Sequence, residues 1–114
     1  MSVIELTKEN FDEAVTDKNL AVLDFWASWC GPCKAFSPIF EAVSERYPTG
    51  VFGQINIEEQ PELAKDFNIH AVPTIMILRQ NVVVFAESSV LPFSSLCELI
   101  DKALQLDMKA IPLS

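Results

Sequence analysis

Apolar residues fall along this chain in short dense runs separated by stretches with spacings of three and four, the mark of strands alternating with helices. Val3-Ile4-Glu5-Leu6 reads as a short first strand. Thr7 is placed to cap a helix that carries Phe11, Ala14 and Val15 on one face. Asp17-Lys18-Asn19 turns into an apolar run from Leu20 to Trp29, in which a strand is predicted over Leu20 to Ala27. That strand is apolar on both faces, as a central strand covered by helices on either side must be. Phe36, Ile39, Phe40, Val43 and Tyr47 mark a helix from Pro32 to Tyr47. Pro38 lies inside it, has no N–H for the carbonyl of Lys34, and is expected to kink it.

Pro48-Thr49-Gly50 ends that helix, and Val51 to Ile57 is a third strand. Gln60-Pro61 opens a short helix through Phe67, with Asn68 as its left-handed C-terminal residue. Thr74 to Leu78 and Val82 to Glu87 form an antiparallel hairpin whose turn, Arg79-Gln80-Asn81, lacks the glycine such turns prefer. The last helix starts near Pro92 and is expected to bury Phe93, Leu96, Cys97, Ile100 and Leu104. The order βαβαβα followed by ββα predicts one α/β domain with a mixed sheet. It spans residues 1–107, and residues 108–114, Met108 to Ser114 with Pro112 among them, form a tail expected to fray.

Composition narrows the function. A chain of 114 residues, half of them hydrophobic, is one domain with a sizeable core of its own. Its formal charge of −8 and its eight scattered Lys and Arg residues argue against nucleic acid and against anionic membrane surfaces. No apolar run approaches the roughly 18–20 residues of a membrane span. The start, Met-Ser-Val-Ile-Glu-Leu, shows no signal peptide, so a cytoplasmic location is expected. Three cysteines are an odd count, which a secreted disulfide scaffold rarely leaves.

The chemistry concentrates in Trp29-Cys30-Gly31-Pro32-Cys33-Lys34, at the junction of the central strand and the long helix. A first cysteine at a helix N-terminus meets free backbone N–H groups and the positive end of the helix dipole. Both stabilise a thiolate, the form that attacks disulfides. Lowering a thiol pKa from ~8.5 to ~7 raises its thiolate fraction at neutral pH from a few per cent to about half. Cys33, one turn in, is close enough to close a disulfide with Cys30, and Pro32 suits the first helical turn. The rival is a zinc site built from Cys30, Cys33, Cys97 and His70. However, structural zinc sites bring their ligands in closely spaced pairs, which His70 and Cys97 do not form. Cys97 instead reads as a buried small hydrophobe, and His70 as a surface residue. Asp24, between Leu23 and Phe25, is a lone carboxylate in an apolar strand. Its burial costs on the order of several kcal/mol unless it is paired or protonated. It either reaches a solvated edge or helix end, or its pKa is raised so that it exchanges a proton with Cys33 through water.

From Val3 to Leu104 the chain resembles the thioredoxin family. The resemblance is carried by Trp-Cys-Gly-Pro-Cys-Lys, by Asp24 six residues before Cys30, and by Val72-Pro73-Thr74 at the start of a later strand. It implies the thioredoxin fold, with sheet order 1-3-2-4-5 and helices on both faces. It implies a protein-disulfide reductase in which Cys30 is the exposed nucleophile, Cys33 the resolving thiol, and Asp24 the buried proton carrier. Cys30 and Cys33 would be the redox-active disulfide. Pro73 would be cis, with the backbone of Val72 pairing with an extended substrate segment. Trp29, Gly31, Pro32, Ala71, Val72 and Pro73 would form the substrate-binding rim, while Trp26 reads as core. No metal or bound cofactor is expected.

Partners by resemblance are disulfide-containing proteins and a flavin- and NADPH-dependent thioredoxin reductase, acting on a monomer. A partner-binding or chaperone module, and a thiol oxidase or isomerase, are the alternatives. Gly-Pro between the cysteines leans towards reduction, by the same resemblance. Two departures stand out. Gln54 occupies the place of a lysine the family often has, so Asp24 is expected to stay protonated to higher pH. Ser89 stands where the family has a glycine beside the site, which bears on substrate range rather than on the chemistry.

Overall fold

The computed structural model describes residues 2–110. In it the apolar runs become β1 (Val3–Glu5), α1 (Phe11–Val15), β2 (Ala21–Trp26), α2 (Gly31–Arg46) and β3 (Val51–Asn56). Then follow α3 (Pro61–Asp66), β4 (Thr74–Arg79), β5 (Val82–Glu87) and α4 (Phe93–Leu104). The sheet order is β1-β3-β2-β4-β5. β1 and β2 run parallel to β3, and β4 pairs antiparallel with β2 and β5. This is the mixed, helix-flanked sheet that the sequence predicts.

The alternation of β2 builds two cores. Leu20 and Val22 join Phe36, Phe40, Ile75, Leu96 and Ile100 beneath α2 and α4. Ala21, Leu23 and Phe25 join Leu6, Val15, Ile55 and Leu63 on the face of α1 and α3. Asp24 shares the parity of Val22 and is fully buried. β2 stops at Trp26, short of the predicted Ala27, because the next residues bond elsewhere. Ser28 N and Oγ donate to Glu58 Oε1 at 2.9 and 2.7 Å, and Cys30 N–H turns back to the carbonyl of Ala27.

Local signals hold at the helix ends. Thr7 Oγ1 accepts from Asn10 N–H while Asn10 Oδ1 accepts from Thr7 N–H, a reciprocal cap over the turn that leads into α1. α2 runs unbroken through Pro38. Asn68 is left-handed at φ 56°. Beyond α3, Ile69 N–H returns to Ala64 O and Asn68 N–H to Lys65 O, the paired bonds of a Schellman end.

α4 departs from expectation in its register. Leu96, Cys97 and Ile100 are buried, but Phe93 and Leu104 are about a third exposed and Ala103 takes the last core position. The core-facing stripe therefore runs 96, 97, 100, 103, and Phe93 and Leu104 flank it. Part of the expected tail is ordered. Lys109 N–H donates to Asp107 Oδ1, and Ala110 N–H donates to Asp107 O. Residues 111–114 lie outside the described residues.

The hairpin turn manages without glycine by borrowing support. Gln80 and Asn81 both have positive φ, 51° and 73°, as a two-residue turn of this twist requires. Asn81 Oδ1 accepts from Asp17 N–H, its Nδ2 donates to Asp17 Oδ1, and Gln80 N–H donates to Lys18 O. The bonds to the neighbouring loop offset the strain of left-handed side-chain-bearing residues. One irregularity breaks the hairpin ladder: Ile77 pairs with Phe85 but Leu78 with Val83, so Val84 bulges from β5.

Beside that turn Arg79 is buried at 6% exposure. Its Nη1 donates to the carbonyl of Ala103 near the end of α4, and its Nη2 donates to Asn19 Oδ1 at 3.1 Å. One side chain thus joins the end of β4, the loop before β2 and the last turn of α4, where a cation suits the helix dipole. Replacing it with an apolar chain of similar length removes both charge-assisted bonds, leaving the Ala103 carbonyl with Leu106 N–H alone and Asn19 Oδ1 with Gln80 Nε2 alone. Arg79→Met should lower unfolding stability by roughly 1–3 kcal/mol in urea titration. A variant as stable as wild type would show these bonds to be dispensable.

Candidate active site

The end of β2 and the start of α2 determine where the two cysteines meet. Cys30 is the N-cap residue of α2, with extended backbone at φ −91° and ψ 107°. Its Sγ accepts from Cys33 N–H at 3.2 Å, one of the N–H groups that a helix start leaves free. Gly31 and Pro32 complete the first turn, and Pro32 leaves no intrahelical bond unmade there. Cys30 and Cys33 are disulfide-bonded, with Cα atoms 5.3 Å apart. The Val72–Pro73 peptide is cis, and the carbonyl oxygen of Val72 lies 3.7 Å from Cys30 Sγ.

Exposure corrects part of the expected picture. Cys30, expected as an exposed nucleophile, is 4% accessible in this disulfide form, and Cys33 is 2% accessible. Ala27, Trp26, Ile57 and Val72 pack around the pair and account for that burial. The exposed aromatic is Trp29, at 69%. Gly31, Pro32 and Ala71 are exposed with it, while Val72 is half-buried and Pro73 buried. A Cβ on Gly31 would meet no atom within 4 Å, so this side of the site is open. Trp26 is also not plain core: it is partly exposed and lines a cavity under Cys33.

That cavity, about 210 Å³ in volume, is bounded by Trp26, Cys33, Lys34, Ser37 and Gln54. Beside it Asp24 sits fully buried, paired in the sheet with Gln54 of β3 and Ile75 of β4. Gln54 Nε2 donates to Asp24 Oδ2 at 3.1 Å and to Ser37 Oγ at 3.2 Å. Asp24 Oδ1 and Trp26 Nε1 are buried with no partner among the described residues. Burial pushes the Asp24 carboxyl up from 3.8 to about 6, and the hydrogen bond from Gln54 restrains the rise. A cavity of this size admits several waters, and Lys34, Ser37 and Gln54 on its wall offer them polar partners.

The remaining candidates separate from the site. Cys97 is a free, buried thiol in the core beneath α2 and α4, whereas Cys30 and Cys33 pack in a different cluster. His70 is exposed on a groove it shares with Phe67, Thr74, Met76 and Glu87. Among the described residues no group of three or more His, Cys, Asp or Glu is placed to hold a metal ion. Ser89 Oγ donates to Glu87 Oε2 at 2.8 Å. Ser37 and Glu58 were not singled out from the sequence. Ser37 carries a legible signal, since it follows Cys33 by four residues and so shares its helix face. Glu58 carries none, because its bond to Ser28 spans a loop to a turn.

A pair of sulfurs at a helix start, flanked by an exposed backbone segment and a buried acid, is equipped for two-electron exchange with another disulfide. The profile of the thioredoxin family matches residues 2–102. A Streptomyces coelicolor protein named as thioredoxin 2 is 50% identical over 110 residues, covering 96% of this chain and 82% of that protein. A thioredoxin of Buchnera aphidicola is 37% identical over 102 residues, covering 88% of this chain and 94% of its own. In structure, a mutant thioredoxin from Halobacterium salinarum superposes with a TM-score of 0.85 at 23% identity, covering 93% and 94% of the two chains, a likeness of fold. No helix among the described residues is long and apolar enough to cross a membrane. With half its residues shared with one relative and a family profile spanning nearly its whole length, this chain belongs to the thioredoxin family.

Proposed function

We propose that this chain is a protein-disulfide reductase that works by thiol–disulfide exchange through Cys30 and Cys33. The observation that carries this reading is the bonded cysteine pair at the N-terminus of α2, beside the carbonyl of Val72. In the reduced form, the Cys33 N–H and the helix start hold negative charge on Cys30 Sγ. That thiolate attacks a substrate disulfide. A bond forms from Cys30 to one substrate sulfur, the substrate S–S bond breaks, and the other sulfur leaves as a thiolate that takes a proton from water. Cys33 then loses its proton to Asp24 by way of water in the cavity and attacks Cys30 Sγ. The Cys30–Cys33 bond forms as the bond to substrate breaks, so two electrons pass from the dithiol to the substrate.

The rim of Trp29, Gly31, Pro32, Ala71, Val72 and Pro73 receives the substrate, an extended segment pairing with the Val72 backbone. The pair is reset by an external reductant, for which a flavin- and NADPH-dependent thioredoxin reductase is the family's partner. The chain acts as a monomer in the cytoplasm, where thiols such as Cys97 stay reduced. It needs no bound cofactor. Residues 1–107 form its working domain, and residues 108–114 its tail. No observation of its own favours a partner-binding role without turnover.

Insulin reduction monitored by turbidity tests the activity, with Cys30→Ser, Cys33→Ser as control. Cys33→Ala should collect substrates as stable mixed disulfides on Cys30, visible on non-reducing gels. Mass mapping after iodoacetamide treatment of the reduced protein should find Cys30 alkylated first. Faster labelling of Cys33 or Cys97 would reverse the assigned roles.

Asp24 makes a separate prediction for stability. Because its folded pKa, about 6, lies above its ordinary 3.8, protonation favours the fold. The contribution is fully present below pH ~3.8 and lost as pH rises through ~6, and the difference corresponds to about 3 kcal/mol. Asp24→Asn should therefore unfold at higher denaturant than wild type at pH 8, with the advantage shrinking by pH 4. Resolution of the mixed disulfide should slow by roughly 10–10³-fold in the same variant. A stability difference that does not change between those pH values would mean that Asp24 does not titrate in the fold as assigned.

A further inference from the structure

The side chain that meets Asp24 is neither a cation nor an apolar group but an amide. Gln54 stands beside it on β3, in register, and spends both hydrogens of Nε2: one on Asp24 Oδ2, the other on Ser37 Oγ. An amide carries a donor and an acceptor on one rotor, and a hydroxyl can do either. With nitrogen towards Asp24, the amide suits the carboxylate. Turned by half a rotation, it presents Oε1, which accepts the O–H of a protonated Asp24. Ser37 follows without losing its partner, because its hydroxyl accepts from Nε2 in the first arrangement and donates to Oε1 in the second. Asp24 is otherwise short of partners, since its Oδ1 is buried and unbonded among the described residues.

We propose that Gln54, braced by Ser37, is a positioning residue that serves Asp24 in both protonation states, turning its amide as Asp24 takes up and releases the Cys33 proton. The inference rests on the reading of Asp24 as acceptor of that proton. The step moves a proton only: Cys33 Sγ loses it, Asp24 gains it, and Asp24 later returns it to water in the cavity.

Burial raises the proton affinity of Asp24, and Gln54 is the side chain that acts on it directly. From α2, Cys33 and Lys34 are the titratable groups on the cavity wall. From β4, Ile75 lies beside Asp24, and on β2 its cavity neighbour is Trp26. Neither strand brings a charge. Asp24 is therefore bonded by a polar partner that can reverse its role, while the cation on the cavity wall, Lys34, makes no bond to it.

Two substitutions separate the roles of donor and acceptor. Gln54→Met keeps a similar length with neither, and Gln54→Lys keeps only donors. Because the bond to the charged carboxylate is the stronger of the two, carbon-detected NMR of the Asp24 carboxyl in the disulfide form should show its midpoint moving up in Gln54→Met and down in Gln54→Lys, each by about one pH unit. In the wild type, the Gln54 side-chain amide resonances should shift with the same midpoint as the Asp24 carboxyl. Midpoints that stay put in both variants, or move in the same direction, overturn the proposal, as does a Gln54 amide signal that ignores the Asp24 titration. Thermal melts confirm that each variant is folded before it is scored. Stopped-flow resolution by Asp24→Asn runs alongside. If that variant resolves mixed disulfides at the wild-type rate, the reading of Asp24 as proton acceptor fails. If it is slow while the Gln54 variants leave the midpoint unmoved, only the role of Gln54 fails.

Discussion

Strand β2 is paired on both edges and covered on both faces, and everything at the site hangs from that confinement. A strand with no free side delivers its C-terminal residues to one place with little latitude. Cys30 arrives at the first turn of α2 because the chain leaves β2 through a loop tied to Glu58. Asp24 arrives in the interior because both faces of β2 are covered, and its parity with Val22 puts it on the side of α2. The same packing that steadies the sulfurs thus forces a carboxyl out of water, and the altered proton affinity of Asp24 is a by-product of strand geometry.

Much of this was legible in the chain. Dense apolar runs and spacings of three and four mark the elements, because a covered strand must be apolar on both faces and a helix along one stripe. Cys30-Gly31-Pro32-Cys33 announces its helix start, and Asn68 announces a helix end, since both rest on local backbone chemistry. What escaped depends on contacts between distant elements. The shift of α4 that leaves Phe93 and Leu104 at the rim is set by which side chains meet α2 and β4, and periodicity alone cannot choose between adjacent faces. Cys30 reads as open from its place at a helix start, yet Val72, some forty residues later, packs against it together with Ala27, Trp26 and Ile57. Trp26 reads as core and Ser37 goes unremarked, and both become cavity walls only when α2 packs beside β3.

The two ends of the sheet are built from different materials. Around the cysteines, polar atoms are left without partners beside a cavity, which suits a region that must exchange protons and receive other chains. At the opposite end, the turn at Gln80-Asn81, the loop at Asp17–Asn19 and the buried Arg79 are tied together by side-chain bonds, with Arg79 Nε the single buried side-chain atom left without a partner there among the described residues. A well-bonded far end supports the stability against which a polar, partly unsatisfied near end can be maintained.

The bulge at Val84 has a bearing on how the molecule behaves in a crowd of its own copies. β5 is an outer strand, and Val82-Val83-Val84-Phe85-Ala86 carries no charge and strong extended-chain preference. Laid flat, such a strand offers an unpaired ladder on which a second chain can stack, the beginning of an aggregate. One extra residue on β5 puts a twist into that border and throws its outward N–H and C=O groups out of a regular row. The irregularity guards an edge whose only charged side chain is its last, Glu87.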